Sequence, residues 1–166
     1  MVIRKEKPED INKIHNINIQ AFETKAEADL VDRLRNSGTP IISLVAEIDN
    51  HLVGHILFAP MKSDNFDIKI AGLAPMAILP EYQNKGIGSE LVEKGLEYCA
   101  GENYVAAAVL GHPNYYPKFG FVPSTRYDLI SEYDVPKEVF MVKELESHSL
   151  SKISGIIKYH EEFNKL

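Results

Sequence analysis

Gln83-Asn84-Lys85-Gly86-Ile87-Gly88 decides how this chain is read. The six residues lie between an apolar run, Leu73-Ala74-Pro75-Met76-Ala77-Ile78-Leu79, and a run with helical periodicity, Leu91-Val92-Glu93-Lys94-Gly95-Leu96-Glu97-Tyr98-Cys99. Strand, glycine turn and helix in that order build an anion site. Glycines take turn geometry without a side-chain clash and let backbone come close to a ligand. The first turn of a helix leaves N–H groups without intrahelical partners and carries partial positive charge. A phosphate is the natural occupant, and Lys85 adds a full charge beside it.

The spacing excludes two common phosphate sites. A dinucleotide fingerprint needs a third glycine three residues after the second, where this chain has Leu91. A P-loop needs Gly-Lys followed by Ser or Thr, whereas Gly88 runs directly into Ser89. The remaining pattern, Gln-x-x-Gly-x-Gly after a strand and opening an amphipathic helix, resembles the pyrophosphate loop of the GNAT superfamily of acyl-CoA-dependent N-acetyltransferases. A second segment, Tyr115-Tyr116-Pro117-Lys118-Phe119-Gly120-Phe121, resembles the other signature of that family. One helix and one strand, Val105 to Leu110, separate the two motifs. As an order of elements the resemblance extends from Val2 to Leu145, and it is strongest between Leu73 and Phe121.

Composition sets outer bounds. The chain has 166 residues, 45% hydrophobic and 25% charged, as in a soluble globular domain. With 18 basic and 24 acidic side chains the formal charge is −6, so nucleic acid is not an expected partner. No apolar run is long enough to span a bilayer, and no apolar leader core follows Met1, so no membrane association and a cytoplasmic location are expected. The single Cys99 excludes an intrachain disulfide and falls on the apolar face of its helix, where it reads as core filler. Six histidines without ligand spacing and one cysteine give no metal centre.

Along the chain, Val2 to Lys5 reads as a strand and Pro8-Glu9-Asp10 as a helix start. Ile11, Ile14, Ile17, Ala21 and Phe22 recur at helical spacing, as do Leu30, Val31 and Leu34. Ile41 to Ile48 and Leu52 to Phe58 form a hairpin around Asp49-Asn50. Ile68 to Leu79 leads into the glycine loop. Phe121-Val122 and Val139 to Leu145 read as further strands, with Thr125 to Val135 mixed and polar between them. Leu150, Ile153, Ile157 and Phe163 predict a C-terminal helix. The expectation is an α/β (mixed α+β) domain over residues 1–146, with a C-terminal helical extension over 147–166 packed on it. A hairpin followed by strand–helix–strand predicts a mixed sheet. The resemblance implies a largely antiparallel sheet that splays between two parallel strands, with helices on both faces. Pro75, which lacks an N–H, marks an edge or bulge in the strand concerned.

The resemblance further implies acetyl transfer from acetyl-CoA, a co-substrate, to an amine acceptor by direct attack in a ternary complex. The acceptor is a small molecule or peptide, and the protein a monomer or homodimer. A non-catalytic acyl-CoA sensor on the same fold is the alternative. By resemblance, the backbones of Met76, Ala77 and Ile78 meet the pantetheine arm. Gln83, Asn84, Lys85, Gly86, Ile87, Gly88 and Ser89 wrap the diphosphate. Asn114 hydrogen-bonds the pantetheine or adenosine part. Tyr116 stands four residues before Gly120, where the family commonly has a tyrosine near the thioester sulfur, and is the candidate general acid. The general base is not fixed by any motif. His112, Glu47, His55 and Glu23 are the candidates, and His112 is preferred because it follows a strand, is held extended by Pro113 and titrates in the useful range.

Overall fold

The computed structural model describes residues 1–166. Twelve regular elements follow one another: β1 (Val2–Lys5), α1 (Ile11–Phe22), α2 (Ala26–Asn36), β2 (Ile42–Ile48), β3 (His51–Met61), β4 (Ile70–Ile78), α3 (Ile87–Gly101), β5 (Ala106–Leu110), β6 (Val122–Pro123), β7 (Leu129–Ser131), β8 (Phe140–Glu144) and β9 (Gly155–Ile157). Seven strands form one sheet in the order β1-β2-β3-β4-β5-β8-β6, and β7 pairs with β9 separately. Within the large sheet β4–β5 is parallel, and β1–β2, β2–β3, β5–β8 and β6–β8 are antiparallel. The expected mixed, largely antiparallel sheet is therefore formed. Two compact units can be distinguished. One comprises Met1–Phe58, Ala74–Gly95 and Glu161–Leu166; the other comprises Ala59–Leu73 and Leu96–His160.

In the first unit, local chemistry sets the elements. Asp49 and Asn50 both take positive φ, 49° and 65°, the paired left-handed conformation of a tight hairpin turn, which Asn and Asp tolerate. The helix α2 carries Glu27 and Asp29 in its first turn and Arg33 and Arg35 in its last, matching its dipole. Its buried face is Ala28, Leu30, Val31 and Leu34. The alternation of β3 assigns one helix layer to each side of the strand. Gly54 lies against Ile78, Ile87 and Leu91, and the Phe58 ring fills the space at Gly95 of α3. His55, pointing the other way, meets Asn18 of α1. Helices thus lie on both faces, as expected.

His55 is fully buried and joined to a polar chain. The Asn18 amide nitrogen donates to the Ile14 carbonyl (3.0 Å) and lies 3.2 Å from His55 Nδ1. That arrangement leaves the ring proton on Nε2, which donates to Ser43 Oγ at 2.8 Å. The Ser43 hydroxyl donates to Glu6, and Glu6 accepts two bonds from Arg35 at 2.9 Å each. Burial opposes the Glu6 charge, but the hydrogen bonds from Arg35 and Ser43 outweigh it and hold the carboxyl below its ordinary pKa.

In the second unit, β5 is an alanine-rich strand, with Ala106, Ala107, Ala108 and Val109 all buried between β4 and β8. The region after β8 departs from expectation. No α-helix forms over 147–166. The chain makes turns, then β9, then a short 3-10 helix over Glu161–Lys165. Ser151 bonds the His148 carbonyl, Ser149 bonds that of Val105, and His148 and Gly155 take positive φ of 64° and 123°. Serine side chains that bond nearby backbone compete with a helix, and Ile156-Ile157 favours a strand. The apolar residues that suggested the helix are still used: Leu150, Ile157 and Phe163 are buried. Their helical spacing is met by turn and strand instead. The strand β7, inside the polar Thr125 to Val135 segment, was not legible because its three residues pair only with β9.

Burial lowers the His55 pKa from 6.5 to about 4. The folded protein therefore binds this proton only near pH 4, and the unfolded chain binds it near 6.5. Stability is full above pH 6.5 and falls as pH drops towards 4, by about 3 kcal/mol through this residue. Denaturant unfolding from pH 7.5 to 4 should show that loss, and His55→Gln should flatten it. The His55 ring followed by NMR should not titrate between pH 8 and 5.5, and a titration midpoint near 6.5 would contradict the buried assignment.

Candidate active site

The loop after β4 is built by the first unit. Pairing of β4 with β5 consists of four residue pairs and ends at Leu73↔Val109, just before Ala74 and Pro75. This is where the sequence placed a break in regular pairing. Beyond it the strand alternates, with Ala77 buried and Met76 and Ile78 half-buried. The Leu79 N–H returns to the Val53 carbonyl of β3 at 2.9 Å. A single 3-10 turn, Pro80–Tyr82, then carries the chain to Gln83.

The loop is shaped by two left-handed residues. Asn84 has φ 61° and Gly86 has φ 84°. Between them Lys85 is exposed, its ammonium 5.5 Å from the centre of the Tyr82 ring. Space around the Gly86 Cα is open, so its conformation, not crowding, asks for glycine. Gln83 does not reach outward. Its Nε2 donates to the Ile78 carbonyl at 3.0 Å and braces the loop against the strand end. Ile87 is buried and anchors the first turn of α3, whose first helical bond is Glu90 N–H to the Gly86 carbonyl. The N–H groups of Asn84, Lys85, Gly86, Ile87 and Gly88 have no acceptor in the protein. Five consecutive unpaired donors at a helix start form a cradle suited to a diphosphate, which supplies several acceptor oxygens and negative charge.

Tyr116, His112 and Asn114 belong to the second unit. Tyr116 opens a 3-10 turn, Tyr116–Phe119, with Pro117 at its start and Gly120 (φ 94°) closing it in the left-handed region. The Gly120 N–H bonds the Pro117 carbonyl at 3.0 Å, and Lys143 Nζ caps the turn on the Phe119 carbonyl at 2.5 Å. The Tyr116 ring is held edge-on by Tyr115 (5.1 Å, 89°) and Phe121 (5.8 Å, 78°). Gly111 leaves the room its face needs: a Cβ there would meet Tyr116 Cε2 and, at 2.9 Å, Cδ2. Tyr116 is 9% exposed, and burial, with a smaller contribution from Tyr115, pushes its phenol up to about 12.

His112 is exposed, and its carbonyl accepts the N–H groups of Tyr115 (3.1 Å) and Tyr116 (3.4 Å). Asn114 is exposed and its side chain makes no hydrogen bond. The other three base candidates are engaged differently. His55 is locked in the polar chain described above, Glu47 accepts from Arg4 at 3.2 Å, and Glu23 closes α1 in a left-handed conformation. Cys99 is buried, and burial raises its thiol to about 12, which makes it inert as a nucleophile. Tyr159, to which no motif points, is buried and its hydroxyl oxygen accepts the Leu110 N–H at 3.2 Å, at the end of β5.

Comparison with known proteins identifies the family and the fold. The acetyltransferase (GNAT) family profile matches residues 11–121. The uncharacterized N-acetyltransferase YhbS of Escherichia coli is 34% identical over 166 residues, 99% of each chain. The uncharacterized N-acetyltransferase YjhQ of Escherichia coli is 39% identical over 118 residues, 69% of this chain and 65% of that one. The crystal structure of Escherichia coli YhbS in complex with CoA superposes with a TM-score of 0.94 at 33% identity, covering 99% of this chain and 92% of that one. A GNAT family acetyltransferase from Brucella melitensis in complex with acetyl-CoA gives 0.81 at 30% identity, covering 98% and 97%.

The tight fit at Gly111 gives a direct check on the Tyr116 cage. Gly111→Ala should displace the ring and cost about 1–3 kcal/mol of stability, read as a lower midpoint in thermal unfolding with altered Tyr116 ring resonances. Unchanged stability and resonances would mean that the ring is not confined there.

Proposed function

The chain belongs to the GNAT acetyltransferase family, and we propose that it moves an acetyl group from acetyl-CoA to an amine acceptor by direct attack in a ternary complex. The observation that carries this reading is the row of five unpaired N–H groups from Asn84 to Gly88. Relatives whose structures hold CoA or acetyl-CoA support it. Those donors, together with Ser89 at the start of α3, bind the diphosphate, with the Lys85 charge beside it. Gln83 contributes by bracing the loop. The backbones of Met76, Ala77 and Ile78 carry the amides of the pantetheine arm, and Asn114 offers its free amide to the same co-substrate. Acceptors are small-molecule or peptide amines.

In the transfer, the neutral amine nitrogen attacks the thioester carbonyl carbon, the carbon–sulfur bond breaks and its electron pair leaves on sulfur. Tyr116 donates a hydrogen bond to that sulfur. The magnitudes decide how far its proton goes. A phenol at about 12 facing a thiolate whose acid has a pKa of about 8.5 would transfer its proton uphill by roughly 3–4 pKa units, about 5 kcal/mol. Tyr116 therefore stabilises developing charge without giving up its proton. The proton lost by the amine goes to His112, whose exposed imidazole lies four residues before Tyr116.

Tyr116→Phe should lower kcat by about 100-fold and leave the acetyl-CoA dissociation constant within about twofold. Because the phenol stays protonated, the loss should be uniform from pH 6 to 9. Thiol release is measured with a panel of amines, and binding by calorimetry. Turnover unchanged in the variant removes Tyr116 from the mechanism. Tight acetyl-CoA binding without turnover on the whole panel would replace the transferase with a sensor.

A further inference from the structure

Tyr159 is buried and held from three sides, all within the second unit. Its segment is pinned just past the end of β3 by two backbone bonds. The Lys62 N–H meets the Lys158 carbonyl at 3.0 Å, and the Lys158 N–H meets the Lys62 carbonyl at 2.7 Å. The ring lies against Gly72 of β4, where a Cβ would meet its Cε1 at 2.9 Å. Tyr133 stacks on it at 6.4 Å and 28°. An anchored backbone, a slot made by a glycine and a stacked neighbour fix where the hydroxyl stands.

That hydroxyl accepts the Leu110 N–H at 3.2 Å. Leu110 is the last residue of β5 and the first beyond the final pair with β4, Leu73↔Val109. Gly111 follows, its N–H bonded to the Val139 carbonyl at 2.8 Å, and the face of the Tyr116 ring rests on Gly111. His112 comes next, and its carbonyl accepts the N–H groups of Tyr115 and Tyr116. A displacement of Leu110 is therefore passed directly to the surface under the Tyr116 ring and to the carbonyl that starts its turn. Tyr115 and Phe121, which flank the ring edge-on, belong to the segment of Tyr116 itself. The end of β5 is the wall that sets this segment against the sheet.

A catalytic group loses much of its effect when displaced by an ångström, and it depends on neighbours that hold it in place. We propose that Tyr159 is a positioning residue for Tyr116: its hydroxyl ties down the end of β5 and so fixes the direction of the Tyr116 phenol. The consequence for turnover rests on the transferase reading above, whereas the coupling of the two tyrosines does not. Burial holds the Tyr159 phenol above its ordinary pKa, so it stays protonated through the neutral range and the tie does not vary with pH there.

The substitution Tyr159→Phe keeps the ring in its slot and removes the acceptor. It is compared in the full chain with wild type, Tyr116→Phe and the double variant. Tyr159→Phe should melt within about 5 °C of wild type, exchange the Leu110 amide hydrogen faster and shift the Tyr116 ring resonances. Its kcat for thiol release should fall about tenfold, uniformly from pH 6 to 9, with the KM for acetyl-CoA within about twofold. In the Tyr116→Phe background the same change should cost nothing further, because its effect runs through the phenol. Unmoved Tyr116 resonances, or an equal loss of kcat in both backgrounds, would overturn the assignment. A loss in Tyr116→Phe with none in Tyr159→Phe would sink this inference and leave the transferase reading standing. Turnover unchanged in Tyr116→Phe would sink the role of Tyr116 in transfer, and the ring resonances would then decide the coupling by themselves.

Discussion

Unsatisfied backbone donors at the start of α3 are the constraint on which the functional architecture depends. A peptide N–H left without an acceptor is unfavourable unless water or a ligand meets it, and here five occur in succession. They are kept apart from the protein's own carbonyls by the geometry of Asn84 and Gly86, both left-handed. Gln83 ties the loop to Ile78, and Ile87 pins the helix start in the core. The donors are therefore held in place before any ligand arrives, which reduces the ordering cost of binding. On the proposed function, recognition by backbone frees the side chains of the loop to vary, with Lys85 adding charge without being the sole determinant.

The turn carrying Tyr116 follows the opposite logic. Its ring is enclosed by Tyr115, Phe119 and Phe121, Gly111 makes room for it, and Lys143 caps the turn behind it. Enclosure fixes the direction of the hydroxyl but also raises its pKa, since burial disfavours the phenolate. A rigid, weakly acidic phenol suits hydrogen-bond stabilisation of a departing thiolate better than full proton transfer. The buried His55 chain has a different purpose. It joins α1, β2, β3 and the Glu6–Arg35 pair into one polar network inside the first unit, far below the pKa at which an imidazole could act as a base near neutrality.

Much of this was legible in the chain because it is written in local signals. Asp49-Asn50 between apolar runs specifies the hairpin, Pro75 coincides with the end of a ladder, and the glycine loop falls between strand and helix where the spacing put it. Three things were not legible. The apolar spacing of Leu150, Ile153 and Ile157 fits a helix, but His148, Gly155 and the serines around them select turns and a strand, and only pairing with β7 makes that strand worthwhile. Gln83 could bind a ligand or brace the loop, and sequence does not say where an amide points. Tyr159 gains its significance from a contact across a long sequence separation, the Leu110 N–H. No short motif encodes it.

The central claim is that the amides from Asn84 to Gly88 hold the diphosphate of the co-substrate. Following the backbone N–H resonances of the 15N-labelled protein during titration with CoA tests it residue by residue. The account requires saturable downfield shifts of those five amides, larger than those at any surface loop, and the same shifts with 3′-dephospho-CoA, which keeps the diphosphate. Binding of CoA that leaves the five resonances in place would contradict it.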